Sequence, residues 1–195
     1  MRNDQRLWPL ALCGLVMLAG CGGQDEKASG NGSASAETAT KGATKSADGK
    51  SGWNAADAWT LLDKCAVGGA LGSTVSETAV GLVDEWDGVT AATSECTYRL
   101  TDGQTLTLMA RWSPIDDNSP EAMAATRKAT EQAVKAFSSR PVEDIAGLGK
   151  SAFWVPGINQ LSVFLDERRF VTLTLTGAPA EKAKDIATGL VGKIR

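Results

Sequence analysis

Cys96-Thr97-Tyr98-Arg99-Leu100, then Thr101-Asp102-Gly103-Gln104, then Thr105-Leu106-Thr107-Leu108-Met109-Ala110-Arg111-Trp112 reads as two strands joined by a turn. Cys96, Tyr98 and Leu100 alternate with Thr97 and Arg99. Leu106, Leu108, Ala110 and Trp112 alternate with Thr105, Thr107, Met109 and Arg111. Successive side chains of a strand point to opposite faces, so each segment has one face for a core and one for water. Asp102-Gly103 between them is a strong hairpin signal. A two-residue turn would set Leu100 opposite Thr105 and Arg99 opposite Leu106, mixing the faces. The pattern therefore predicts a three- or five-residue loop, or a bulge, that restores Leu100 opposite Leu106.

Downstream, Ser119 followed by Pro120 reads as an N-cap and first helical residue, opening an alanine-rich helix to about Phe137 with Met123, Thr130, Val134 and Phe137 on its larger-residue face. A short strand over residues 152–155 stops at Pro156-Gly157, and residues 161–165 and 170–176 form a second hairpin across 166–169. Pro179 opens a last helix whose Ala183, Ile186, Ala187, Leu190, Val191 and Ile194 make an apolar stripe. Upstream, Asn54 can cap a helix carrying Ala58, Leu61, Leu62 and Cys65 and ending near Leu71. Residues 75–83 alternate weakly, as a strand would. The order helix, hairpin, helix, strand, hairpin, helix predicts an α+β fold: one antiparallel sheet with helices packed on one face.

The N-terminal quarter of the chain has a different composition. Arg2 and Arg6 precede a mostly apolar run over residues 7–19, too short for a permanent membrane helix and suited to a signal peptide. It closes on Leu18-Ala19-Gly20-Cys21, which resembles the lipobox of bacterial lipoproteins. The resemblance implies cleavage after residue 20 and a diacylglyceryl thioether on Cys21, so that membrane lipid is the first partner. Two or more acyl chains make a stable anchor. Gly22, rather than aspartate, follows the cysteine, as in outer-membrane lipoproteins; in a host with two membranes the domain would face the periplasm. Residues 22–52 contain no Val, Ile, Leu, Met, Cys or aromatic side chain, which predicts a disordered tether. Its reach is roughly 30 Å. Residues 53–195 remain as a single globular domain.

Four cysteines occur, Cys13, Cys21, Cys65 and Cys96. The first leaves with the signal peptide and the second is acylated. Outside the cytoplasm the remaining two are expected to pair, and the Cys65–Cys96 spacing suits a structural bridge rather than a redox Cys-x-x-Cys site. The run Leu61-Leu62-Asp63-Lys64-Cys65, the strand Cys96-Thr97-Tyr98 and Gly147-Leu148-Gly149-Lys150-Ser151-Ala152-Phe153-Trp154 resemble small cysteine-paired lipoprotein domains of secreted bacterial proteins. That resemblance brings no activity with it.

Composition narrows the function. The chain has 195 residues, a net charge of −3 and no histidine. Without histidine there is no Ser-His-Asp or Cys-His catalysis and no common zinc ligand set. With no basic block, nucleic acid is not an expected partner. Gly149-Lys150-Ser151 looks like the tail of a phosphate-binding loop, but Asp144 stands where that motif needs glycine and a strand follows instead of a helix. Asp84, Glu85 and Asp87 form one acidic knot and Asp116-Asp117-Asn118 another. Either could hold a hard cation, but solvated loops or helix-entry charge are the simpler reading. Trp59 and Trp112 read as core; Trp86 and Trp154 are the better candidates for a contact surface, although a core or half-buried place is the simpler reading for them too. The sum is a non-enzymatic binding or accessory module, with no cofactor, for an envelope protein or small ligand. The alternative is an envelope enzyme using carboxylates or a metal.

Overall fold

The structure, a computed structural model, describes residues 53–136 and 138–194. The expected cleavage site, the acylated Cys21, the tether and Phe137 lie outside the described residues.

Seven strands form one antiparallel sheet in the order β1-β2-β3-β7-β6-β5-β4. They are β1 (Val75–Asp84), β2 (Ala92–Leu100), β3 (Thr105–Trp112), β4 (Glu143–Asp144), β5 (Ser151–Val155), β6 (Gln160–Phe164) and β7 (Arg169–Thr176). The helices are α1 (Ala58–Leu61), α2 (Lys64–Leu71), α3 (Pro120–Val134) and α4 (Ala180–Val191). This is the α+β architecture that the alternating hairpin implies. β3 lies in the interior of the sheet, next to the central strand β7. It pairs along its whole length with β2 on one side and with β7 on the other.

The β2–β3 loop has three residues. Leu100 N–H donates to the Gln104 carbonyl at 2.9 Å, and Gly103, at φ +87, supplies the left-handed position that closes the turn. The faces are kept apart as expected, but Leu106 stands opposite Tyr98 and not Leu100. A three-residue loop puts residue 100 against 104, so Leu100 and Leu106 share a face one step out of line.

On that face Leu106, Leu108, Val171, Leu173, Leu161 and Val163 are fully buried. Over them lie α1, α2 and α4, the last through Ala183, Ala187, Leu190 and Val191. The first helical segment is not continuous. A 3-10 turn (Ala55–Asp57), capped by Asn54, runs into α1, and the chain then extends at Leu62. Asp63 starts a new helix by accepting from the N–H groups of Cys65 and Ala66. The break has a partner in the sheet: the buried Tyr98 hydroxyl donates to the Leu62 carbonyl at 2.8 Å. Similarly, the buried Ser94 hydroxyl donates to the Ala55 carbonyl and accepts from the Ala58 N–H, 2.5 and 2.8 Å away.

The opposite face corrects the expectation that all helices share one side. Phe153, Val155 and Phe164 point away from the main core and pack with Val134 and Met123 of α3 in a second, smaller cluster. Strands β5 and β6 bear large apolar side chains on both faces, so they need cover on both. Helix α3 begins where sequence places it, with Ser119 accepting from the Ala122 N–H, and ends at Val134. Arg127 ties it to β4 by an ion pair with Asp144.

Candidate binding surface

Strand β1 is an edge strand of ten residues, and its second half has lost the cover that its neighbours have. Val80 pairs with Cys96 and Val83 with Ser94, so both start from positions whose partners are completely buried. Yet Val80 is 51% exposed and Val83 42%, and Leu82 between them is 66% exposed. Between Val80 and Val83 two residues, Gly81 and Leu82, face the single position Glu95, which makes a β-bulge. Glycine suits this spot: a Cβ on Gly81 would come within 2.8 Å of the Glu95 carboxylate.

The chain beyond β1 keeps the same character. Trp86 is 45% exposed and Val89 81%. Asp87 shapes the turn between them by accepting from the N–H groups of Val89 and Thr90, and those bonds hold its carboxyl below the usual range. The Trp86 ring meets the buried Trp112 ring edge-on, 5.6 Å between centroids at 78°. Edge-to-face packing of this kind is favourable beyond the area it buries. Trp86 is therefore fixed on one side and open on the other.

Below Trp112 the end of the sheet is locked by charge pairs. The segment after β3 zips onto the β6–β7 loop: Ser113 N–H donates to the Arg168 carbonyl, and Asn118 N–H to the Glu167 carbonyl. The buried Asn118 side chain adds bonds to the carbonyls of Asp166 and Arg169. Ion pairs join Arg168 to Asp116, Arg169 to Asp166, Arg111 to Asp117 and Lys150 to Glu167. A polar notch of about 260 Å³ lies here, lined by Trp112, Asp116, Asp166 and Glu167 to Arg169. Burial alone would raise Asp117, but the Arg111 guanidinium bonded to it wins and holds it low. Asp166 behaves alike: burial raises it, and the Arg168 N–H and Arg169 more than reverse that. Glu167 is held low by its own backbone N–H and by Lys150. These carboxylates are locked as anions.

The other residues singled out by sequence fall into place around this corner. Asp116 and Asp117 pair with arginines, and Asn118 bonds the β6–β7 loop. Asp84, Glu85 and Asp87 remain exposed. Among the described residues no group of three acidic or cysteine side chains is arranged to hold a metal. Gly149 takes φ +61, and a Cβ there would lie 2.3 Å from the Phe164 carbonyl, so Gly149-Lys150-Ser151 is a tight turn into β5. Lys150 is spent on the Asn118 carbonyl and Glu167. Trp112 is core as expected, and Trp59 packs, partly buried, against the core cluster. Of the two candidate contact tryptophans, Trp86 is exposed and Trp154 is not: β5 is covered on both faces, leaving Trp154 only 3% exposed.

Cys65 and Cys96 are unbridged in this structure, Cys65 exposed at the start of α2 and Cys96 buried in β2. Burial pushes the Cys96 thiol up, while Tyr98 and the charge of Lys64 pull the other way. No described helix is long and apolar enough to cross a membrane.

The chain matches no protein-family model and no curated protein. The surface is thus read from its own geometry.

Proposed function

We propose that this protein is a membrane-anchored lipoprotein of the cell envelope, and that its folded domain is a non-enzymatic binding or accessory module. Cleavage before Cys21 and acylation of that residue supply the anchor, and residues 22–52 the tether. In a host with two membranes, Gly22 directs it to the outer membrane, facing the periplasm.

One observation carries the binding role. Six large apolar side chains are exposed among the described residues, and five of them, Val80, Leu82, Val83, Trp86 and Val89, fall within ten consecutive positions. Scattered exposed apolar residues need no explanation, but five gathered in one stretch at the edge of the sheet suggest a surface that a partner covers. Against the carboxylate-enzyme alternative at this corner, a general acid needs a carboxyl raised towards neutrality, and Asp117, Asp166 and Glu167 are shifted the other way.

An oxidising compartment also favours a Cys65–Cys96 bridge. Tyr98, two residues from Cys96 on the same strand, holds the Leu62 carbonyl, three residues before Cys65, so the bridge would join segments already tied together. Closing this loop contributes on the order of 3–4 kcal/mol in the chain-entropy account. Alkylation and mass spectrometry of envelope-purified protein should find no free thiol at either position; two alkylated cysteines would refute the bridge.

The test of the main reading uses the full-length lipoprotein in its host. Cys21→Ser should abolish acyl labelling and leave the unprocessed precursor; labelling at the unsubstituted level refutes the anchor. A photo-crosslinking side chain at Leu82 should give a discrete adduct, and one at the exposed Lys128 of α3 should not. Equal yields from both positions, or none from either, refute the binding surface.

A further inference from the structure

We propose that the edge of β1, which lies at the margin of the sheet among the described residues, is a strand-addition site, filled by an extended, cationic segment of another protein. The inference rests on the binding surface above and names the chemistry of what covers it.

An edge strand presents unpaired N–H and C=O groups, and soluble proteins blunt such edges by keeping them short, charged or covered. Here β1 runs for ten residues at the margin of the sheet. In its outer half Val80, Leu82 and Val83 are exposed. An added strand would satisfy the edge and cover Val80, Leu82 and Val83 with its own alternating side chains, which is how β-augmentation combines affinity with selectivity. The bulge at Gly81–Leu82 divides the edge into two short runs, residues 77–80 and 83–84. The partner segment is accordingly short.

Charge selects the occupant. Residues 75–91 contain Glu77, Asp84, Glu85 and Asp87 and no lysine or arginine. Of the cations nearby, Arg99 of β2 is paired with Glu77 at 3.5 Å, and Lys64 of α2 lies beside Val75, at the end of the strand away from the bulge. Glu95 adds a further carboxylate at the bulge. A strand bearing lysine or arginine beside apolar residues meets complementary charge here, and complementarity speeds encounter and fixes register. A second copy of the chain does not. With two β1 strands antiparallel about the Val80–Gly81 midpoint, Glu77 of each copy falls opposite Asp84 of the other, and like charges directly opposed destabilise a strand pair. An anionic lipid surface is repelled by the same carboxylates.

The experiment uses the acylated full-length protein in detergent and three labelled nine-residue peptides, acetylated and amidated. One alternates lysine with valine and threonine. The second replaces each lysine by glutamate. The third keeps the lysine sequence but is N-methylated at alternate residues, which leaves side chains and charge while removing the strand's donors. The lysine peptide should bind, weakening about tenfold between low and high salt. The glutamate and N-methylated peptides should bind at least tenfold more weakly. Substituting Val80→Thr, Leu82→Thr and Val83→Thr together should cost the lysine peptide a similar factor, with strand propensity preserved. Equal binding of the N-methylated peptide overturns strand addition in favour of charge alone. No peptide binding while the Leu82 crosslink persists overturns this inference and leaves the binding surface standing; loss of both fails the two readings together. A concentration-dependent dimer abolished by the triple substitution overturns it in favour of a second copy.

Discussion

Strands β1 and β3 are built from similar residues and end in opposite environments. Thr105-Leu106-Thr107-Leu108 in β3 alternates threonine with aliphatic side chains, and both leucines are completely buried. Val75-Ser76-Glu77-Thr78-Ala79-Val80 in β1 is also β-branched and half apolar, yet its far end stands in water. The difference lies in the neighbours. β3 has a strand on each side and helices above, whereas β1 pairs with one strand and leaves Val80, Leu82 and Val83 exposed. Position in the sheet, more than side-chain identity, decides what burial contributes.

The comparison breaks most sharply on core leucines. Leu108→Ala should destabilise the protein by about 2–5 kcal/mol, the range for truncating a fully buried leucine. Urea unfolding followed by tryptophan fluorescence measures it. A loss below about 1 kcal/mol would mean that the centre of the sheet is no better packed than its edge.

A second test concerns the hydroxyl that joins the sheet to the broken helix. Tyr98→Phe leaves the buried Leu62 carbonyl without its donor, which costs about 1–3 kcal/mol. It should also change the alkaline limb. Burial pushes the Tyr98 phenol up, so the unfolded chain ionises first. The stability this supplies is intact below about pH 10, the ordinary tyrosine value, and is lost as pH rises towards the folded value. Unfolding curves at pH 8 to 11 should fall steeply for the unsubstituted protein and less steeply for Tyr98→Phe. Parallel curves would show that Tyr98 ionises freely.

Much of this contrast is legible in the sequence. Alternation in residues 96–112 gives the hairpin and its buried face, and Ser119-Pro120 and the Ala183–Val191 stripe give two of the helices. What escapes depends on tertiary partners. Ala58, Leu61, Leu62 and Cys65 keep helical spacing across a break that only Asp63 capping and the Tyr98 bond to Leu62 explain. Phe153-Trp154-Val155 is apolar at every position, which signals cover on both faces. That signal could have placed α3 on the second face and removed Trp154 from the contact candidates. The exposure of Trp86, flanked by Glu85 and Asp87, follows the local acidity that singled it out. The lock beneath it, with Asp116 and Asp117 meeting arginines about fifty and six residues away in the chain, carries no local signal.

That lock gives the acid limb. Asp117 and Asp166 are held low, against burial, by arginines and backbone donors. A depressed carboxyl contributes stability that is present above its ordinary value near pH 4 and disappears as pH falls through its folded value. Urea midpoints should therefore stay level down to about pH 4 and drop below it, and Asp117→Asn should flatten that drop. An unchanged acid limb in the variant would show that the Arg111 pair does not persist in solution.

The smallest effect belongs to the edge, and it is the most discriminating. Leu82→Thr removes an apolar side chain that is 66% exposed and keeps a β-branched residue in the strand. Little buried area is lost, so stability should move by no more than about 0.5 kcal/mol in either direction, as surface substitutions do. A core leucine cannot behave this way, because its removal leaves a cavity as well as lost transfer energy. If Leu82 is retained for what it touches in a partner, the same substitution should weaken peptide binding while the urea midpoint stays in place. Should Leu82→Thr instead cost more than about 1.5 kcal/mol, the side chain is packed within its own domain. The edge would then be a continuation of the core, and the case for a partner there would fall with it.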